Sequence, residues 1–553
     1  MSEVNKLIEP SEDEGRIEAE TYLLNLATLE FLKASDVSEG SGEAFKDYAL
    51  LSDNILHHLR RLIYKAKSES SSKLTVPRRL DVPQIVVVLR YLYRFANVRV
   101  DGGFEPSAPT VLMRYDANAG IYTDDMHIID RVIAELSHGD VTRERRNNIY
   151  LNIEALSDVV SPSEDKNLIP VGNGIYDLSS GELLPFDPDR VFITKTPVDY
   201  NPDAELVFID NPDGTRWDIE NWMSELTDNS EITQLLWQII GASIRPNHYW
   251  SKSIWLYSEV GMNGKGTFCE LIRQIVGPHN VATLSILDFG KPFALENLFS
   301  KSVVLCDEND VGKYIDDAAN YKAACTADVL NCDRKHKKAL TIRFNGLIIE
   351  CMNGFPRTRD KTGSFYRRLI LVPFNKSFIG SERKYIKTDY IKRADVLEYV
   401  LKKVLQMKVE ELSVPQACTE LLEDYRGFNN TVLEFWNSFK DRFAWSILPT
   451  QFLYDLYQSY CKRNAPSSRI MNLQDFRFDI KRIADESDDF EYGRFTVGTQ
   501  MDAAEMLIIE YNLFHWMDPE YTGNIPEKIL AFERKPQYTG VRRLTPKPQG
   551  TSE

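Results

Sequence analysis

A chain of 553 residues exceeds one comfortable hydrophobic core, and roughly 150 residues per domain predicts about three or four domains. Its 43% hydrophobic and 11% aromatic content excludes a disordered or fibrous protein, and no apolar run approaches the roughly 20 residues a membrane-spanning helix needs. With a net charge of −16, nucleic-acid binding over the whole outer surface is excluded too, so any DNA contact has to be local, as in a lined channel. The acidic N-terminus (MSEVNKLIEPSEDEGR) is unlike a secretory signal, so the expectation is a soluble, intracellular protein with no membrane partner. Seven cysteines without a Cys-x-x-Cys pair, and one adjacent histidine pair, His57 and His58, imply neither a disulfide framework nor a structural metal.

Residues 1–105 read as a helical N-terminal region. TYLLNLATLEFL and DYALLSDNILHHLRRLIYKA have helical apolar spacing, and PQIVVVLRYLYRFANV reads as a further helix after a Ser-rich break. Between 106 and 215, short strands with turn signals at Asn173-Gly174 and Ser180-Gly181 predict a small α+β collar. From 216 to 400 helices alternate with the apolar strands SIWLY, SVVLCDE and LIIECMN, the pattern of an α/β sheet with crossover helices. Residues 401–520 are helix-rich. There ILPTQFLYDLYQSYCKR and NLQDFRFDIKRIADE read as helices, and GRFTVG and AEMLIIEYN as strands, which suits a winged helix. Residues 521–553, rich in Pro, Gly and basic residues, read as a flexible tail.

Chemistry concentrates in the α/β segment. The strand SKSIWLYS runs into a loop with Gly261, Asn263, Gly264, Lys265, Gly266 and Thr267, and FCELIRQIVG continues as a helix. That order builds a phosphate cradle, in which backbone N–H groups at a helix N-terminus face the phosphates and Lys265 neutralises the β and γ oxygens. Against G-x-x-x-x-G-K-[ST], Glu259 replaces the first glycine and Gly266 replaces the hydroxyl that should bind Mg²⁺. A second strand ends in Asp307-Glu308, where Asp307 would hold Mg²⁺, directly or through water, and Glu308 would polarise the attacking water. Asp307 and Thr267 are the candidate metal ligands, although Thr267 is rotated about 100° round the helix from the missing hydroxyl and cannot replace it in place. An acidic turn at a strand end is commonplace, so the pair draws its weight from following a phosphate loop. A third strand ends in Asn353, a candidate γ-phosphate sensor or an ordinary Asn-Gly turn. Arg367 and Arg368 precede a further strand, where one of them can reach a neighbouring subunit's nucleotide.

In that order, the Gly-Met-Asn-Gly-Lys-Gly-Thr loop, the Asp-Glu strand, the Asn-x-x-Pro strand end and DKTGSFYRRLILVPF resemble helicase superfamily 3, specifically the phage, plasmid and poxvirus-type primase-helicase family. VGNGIYDLSSGELLPFDPD resembles the family's collar, so the likeness covers about residues 106 to 380. The resemblance implies an AAA+ ATPase domain, a hexameric ring with ATP and Mg²⁺, and travel along single-stranded or forked DNA during replication of a phage or mobile element in a bacterial cytoplasm. It also implies a basic hairpin in the channel, for which Arg334, Lys335, His336, Lys337 and Lys338 are the matching residues. No primase-like constellation is evident in the first hundred residues, so a separate primase or another replication protein is an expected partner. The competing expectation is an ATP-controlled origin-binding factor that reads DNA with Arg477, Lys481 and Arg482.

Overall fold

Helical spacing near the N-terminus becomes α1 (Asp13–Ala34), α2 (Tyr48–Glu69) and α3 (Val82–Leu92) in the computed structural model. The structure describes residues 13–42, 44–69, 75–101, 108–310, 314–315, 317–335, 339–358, 360–429, 431–464, 470–517 and 535–544. Two units divide the chain, Met1–Thr419 and Glu420–Glu553. In the first, α2 buries Leu51, Ile55 and Leu59 at four-residue spacing, and they share a cluster with Ile85 and Leu89 of α3. The helix expected to run through PQIVVVLRYLYRFANV stops at Leu92, and Phe95–Arg99 is β1. β1 pairs antiparallel with β2 (Thr110–Asp116), so a boundary at 105 falls between two paired strands. The extended state of β1 is imposed by partners outside the local window. β3 (Ile121–Thr123), α4 (His127–Leu136), α5 (Arg143–Leu156) and β4 (Val159–Val160) follow, and the sheet order is β3-β2-β1-β4.

Next comes the antiparallel meander β5 (Leu168–Val171), β6 (Gly174–Asp177) and β7 (Glu182–Leu184), in register Val171↔Gly174 and Asp177↔Glu182. α6 (Ile219–Glu225) and α7 (Ser230–Ser243) lead into the sheet that carries the site. It comprises β8 (Ser253–Tyr257), β9 (Val281–Ala282), β10 (Val303–Cys306), and, later in the chain, β13 (Leu347–Met352) and β14 (Leu369–Pro373). The order is β9-β10-β13-β8-β14, and every pairing is parallel. SIWLY, VVLC and LIIECM are buried throughout, as parallel strands covered on both faces require, and each buried Leu, Ile or Val contributes roughly 1.5–3 kcal/mol. α8 (Lys265–Val276) links β8 to β9, while α9 (Ala319–Cys325) and the antiparallel hairpin β11 (Val329–Cys332) and β12 (Leu340–Arg343) lie between β10 and β13. α10 (Ala394–Gln406) sends Val400, Leu401 and Val404 into the same core as Phe268 and Ile272 of α8. Because the five strands run the same way, the segments after β8, β10 and β13 emerge at one edge of the sheet. Those just before β8 and β14 lie at the other.

The second unit has its own aromatic core, including Phe435, Trp436, Trp445, Phe452 and Phe476. Its elements are α11 (Thr431–Phe439), β15 (Ile447–Pro449), α12 (Thr450–Asn464), α13 (Leu473–Asp485), β16 (Phe490–Thr496) and β17 (Gln537–Arg543), with sheet order β15-β17-β16. Two expectations are corrected here. AEMLIIEYN holds a helical turn, Leu507–Glu510, not a strand: its neighbours Leu507 and Ile508 are both buried, against the alternation a half-buried strand needs. The segment read as a tail supplies the central strand, β17, paired antiparallel on both sides. Its basic residues hide that role in the sequence, yet Arg542 pairs with Glu491 and stacks 4.4 Å from the Phe495 ring. Among the described residues no helix is long and apolar enough to cross a membrane.

Candidate nucleotide and nucleic-acid site

Between β8 and α8 the chain turns through two left-handed residues, Met262 (φ 55°) and Gly264 (φ 87°). At Gly264 a side chain is disfavoured twice, by that φ and because a Cβ would come 2.5 Å from Leu226 Cδ2. Met262 is held there by its carbonyl, which accepts from Phe378 N at 2.8 Å. Buried Asn263 braces the loop from within: its Nδ2 donates to Val260 O at 2.5 Å and its Oδ1 accepts from Lys265 N at 3.2 Å. Lys265 is only 5% exposed and reaches the end of β13, where Nζ donates to Met352 O at 3.1 Å and to Asn353 Oδ1 at 3.0 Å. Burial holds its ammonium below the ordinary lysine range. The fold thus brings Lys265 and Asn353 into direct contact, at the first turn of a helix whose N–H groups and dipole favour an anion.

Asp307 and Glu308 follow β10 at the same edge of the sheet. Asp307 Oδ2 lies 3.5 Å from Arg273 Nη2 of α8, and Arg273 also meets Glu270 at 3.0 Å, so the acidic strand end is tied to the loop's own helix. Glu308 is exposed. Asn309 anchors this segment: Nδ2 donates to Glu350 Oε2 at 2.8 Å and Cys351 O at 3.2 Å, and Oδ1 accepts from Ile286 N at 3.2 Å. Glu350 is fully buried in β13, and desolvation pushes its carboxyl well above the usual range, which favours the protonated form. Arg273, Asn309 and Glu350 escaped the sequence reading. The one signal for them was a carboxylate inside the apolar run LIIECM.

Arg367 and Arg368 precede β14 and therefore lie at the opposite edge, separated from Lys265 by at least the length of β8, roughly 16 Å at about 3.3 Å per residue. Arg368 is committed locally, donating to Ser364 Oγ at 2.8 Å and to Ser364 O. Arg367 is exposed, and its backbone is pinned by Lys252 Nζ, which donates to Arg367 O at 2.6 Å. In the hairpin between β11 and β12, Arg334 is paired with Glu296 at 3.2 Å whereas Lys335 is exposed; His336, Lys337 and Lys338 lie outside the described residues. On α13, Arg477 Nε donates to Tyr492 Oη at 3.0 Å and Arg482 lies 3.7 Å from Asp479, while Lys481 is exposed.

Beside the loop opens a cavity of about 380 Å³, walled by Trp222, Leu226, Phe378 and Ile386 and bordered by Gly264 and Thr267. An apolar recess of this size lies next to an anion-favouring helix terminus, an arrangement in which the loop would hold phosphates and the recess a base. For Mg²⁺, the carboxylates of Asp307 and Glu308 are available at the strand ends, Gly266 offers no side-chain oxygen, and Thr267 faces the cavity. That donor set fits an ion held mainly by phosphate oxygens and water.

Three families match the chain: D5 N terminal like over residues 126–234, a family of unknown function, DUF5906, over 256–368, and Poxvirus D5 protein-like over 428–512. Two of the three are D5-type domains of the primase-helicase family. These D5-like matches support a replication helicase-type role. The D5-like matches flank the central one, which spans the phosphate loop, the acidic strand end, the hairpin, Asn353 and both arginines. Among solved structures the chain is similar to the apo C-terminal region of NrS-1, at 14% identity over 57% of this chain and 71% of that one with a TM-score of 0.33. It is also similar to JCV helicase with a bound small molecule, at 15% identity over 39% of this chain and 60% of that one with a TM-score of 0.24.

Proposed function

We propose that this chain is an ATP-driven DNA helicase of the superfamily 3 type, in which an AAA+ domain assembles as a ring, with a hexamer expected, and moves along single-stranded DNA. The observation that carries the reading is the contact of Lys265 with Asn353 across neighbouring strands, with β13 inserted between the loop strand β8 and the acidic strand β10. An arriving γ-phosphate would take Lys265 from Asn353, leaving the amide free to report the phosphate and to orient water. Glu308 would polarise that water, and Mg²⁺ beside Asp307 would offset phosphate charge. Arg367 is exposed at the far edge of the sheet, which suits an arginine that serves the neighbouring subunit's nucleotide and so supports the ring. Lys335 of the hairpin is exposed, which supports its offering a charge to the DNA backbone. In the second unit the order helix, strand, helix, helix, strand, strand supports a winged helix.

The test is strand displacement on forked duplexes with a 3′ or a 5′ tail, with ATP and Mg²⁺. Wild type should unwind one of them, Lys265→Ala should not, and Glu308→Gln should bind nucleotide yet hydrolyse it about 10²–10⁴-fold more slowly. Hydrolysis without displacement on either substrate would rule out the helicase and leave a nucleotide-controlled DNA-binding factor.

A further inference from the structure

We propose that Lys387 is a phosphate-binding residue of this site and stands in for the hydroxyl missing at Gly266. The proposal rests on the nucleotide reading of the loop. In a G-x-x-x-x-G-K-[ST] loop the residue after the lysine carries the oxygen that binds Mg²⁺, and here that residue has no side chain. A Cβ built on Gly266 would lie 3.5 Å from Lys387 Nζ, so an ammonium occupies the direction in which the missing side chain would project. Lys387 also borders the cavity beside the loop, together with Thr267 and Phe378. A nucleotide with its base in that recess would lead its phosphates out between the first turn of α8 and this ammonium.

Charge accounting points the same way. Three neighbouring cations are neutralised, Arg383 by Glu225, Lys376 by Asp228 at 2.8 Å and Lys392 by Glu270 at 3.6 Å, whereas Lys384, which also borders the cavity, has no ion pair among the described residues and lacks the approach to Gly266 that Lys387 makes. Lys387 has no ion pair or side-chain hydrogen bond among the described residues, although it sits on the short helical segment Lys384–Thr388 next to the positive end of α8 and to the Lys265 turn. An ammonium held beside the positive end of a helix is unfavourable without an anion between them, and a polyphosphate removes the repulsion. A lysine there supplies a point charge directly to phosphate oxygens, where a hydroxyl would act only through the metal. This chain would therefore rely on the protein, more than on Mg²⁺, to bind the nucleotide.

The experiment is equilibrium binding of a fluorescent ATP analogue to the full chain, in Mg²⁺ and in EDTA. Lys387→Ala should weaken binding about ten-fold or more in both buffers, and Lys387→Arg should retain most of it. Adding Gly266→Ser to Lys387→Ala should restore affinity in Mg²⁺ but not in EDTA. Affinity unchanged in Lys387→Ala overturns the proposal, as does a loss seen only in Mg²⁺, which would mean that the lysine acts through the metal's shell. A matched thermal melt of Lys387→Ala excludes misfolding as the cause of any loss. If wild type does not bind the analogue, or Lys265→Ala binds it equally well, the nucleotide reading itself fails. Binding that needs Lys265 and ignores Lys387 sinks only this inference.

Discussion

Glu350 shows how much a single buried group controls near the site. Its carboxyl sits in the central strand β13, accepts from Asn309, and keeps its proton to higher pH in the fold because burial raises its pKa. In the unfolded chain the same group ionises in the ordinary range near 4.5, so between that value and the raised folded one the native state binds the extra proton. Folding stability therefore falls as pH rises through that window. Glu350→Gln keeps the bond from Asn309 and removes the titration, so chemical denaturation between pH 5 and 8 should show a flatter profile and equal or greater stability at the alkaline end. Glu350→Ala should lose on the order of 2 kcal/mol or more, from the cavity and the unpaired amide. A Gln variant with wild-type pH dependence would show that Glu350 is ionised in the fold. At this scale Lys265, Asp307 and Asn353 were legible one by one, each at the end of an apolar strand or a glycine loop. Asn309 was not, since its partner Glu350 is 41 residues away and nothing local announces the pairing.

Among the elements, strands buried on both faces read clearly, because a parallel strand covered by helices has to be apolar at every position. Those at sheet margins or in small sheets read poorly. Phe95–Arg99 continued a helical pattern until β2 claimed its backbone, and β17 was concealed by arginines that find Glu491 and aromatic faces. β17 carries the second unit's sheet: it pairs with β16 from Gln537 to Arg543 and with β15 through Gly540, Val541 and Arg542. A Cβ at Gly540 would meet Leu448 O at 2.0 Å, so this central strand needs glycine for close approach. Removing residues 537–553 should abolish cooperative thermal unfolding of the 420–553 unit, whereas removing 545–553 should leave its melting temperature within a few degrees. An intact transition after the larger deletion would show that β17 is dispensable.

For the whole molecule, the decisive feature is the separation of Lys265 and Arg367 to opposite edges of one sheet. One chain cannot bring both to one nucleotide, so the proposed chemistry requires a second copy. Lys265→Ala and Arg367→Ala should each be inactive alone. Mixed in equal amounts, they should recover up to about a quarter of wild-type hydrolysis, the share of interfaces that pair an intact loop with an intact arginine under random assembly. No recovery from mixtures shown to co-assemble would place Arg367 outside the catalytic machinery. The net charge of −16 agrees with the proposal that DNA contact is confined to a short basic segment and not spread over the exterior.

By itself the sequence determined where the candidate chemistry lies and in what order, because a glycine loop, an acidic strand end and a basic turn are each written in a few consecutive residues. It also exposed the defect at Gly266. Which residues meet was decided only by the tertiary structure: Lys265 with Asn353 across 88 residues, Asp307 with Arg273, and Lys387 with the turn that lacks a hydroxyl. Contacts of that kind depend on strand order and on where the chain returns, and a parallel sheet sets both through crossovers that no local pattern encodes.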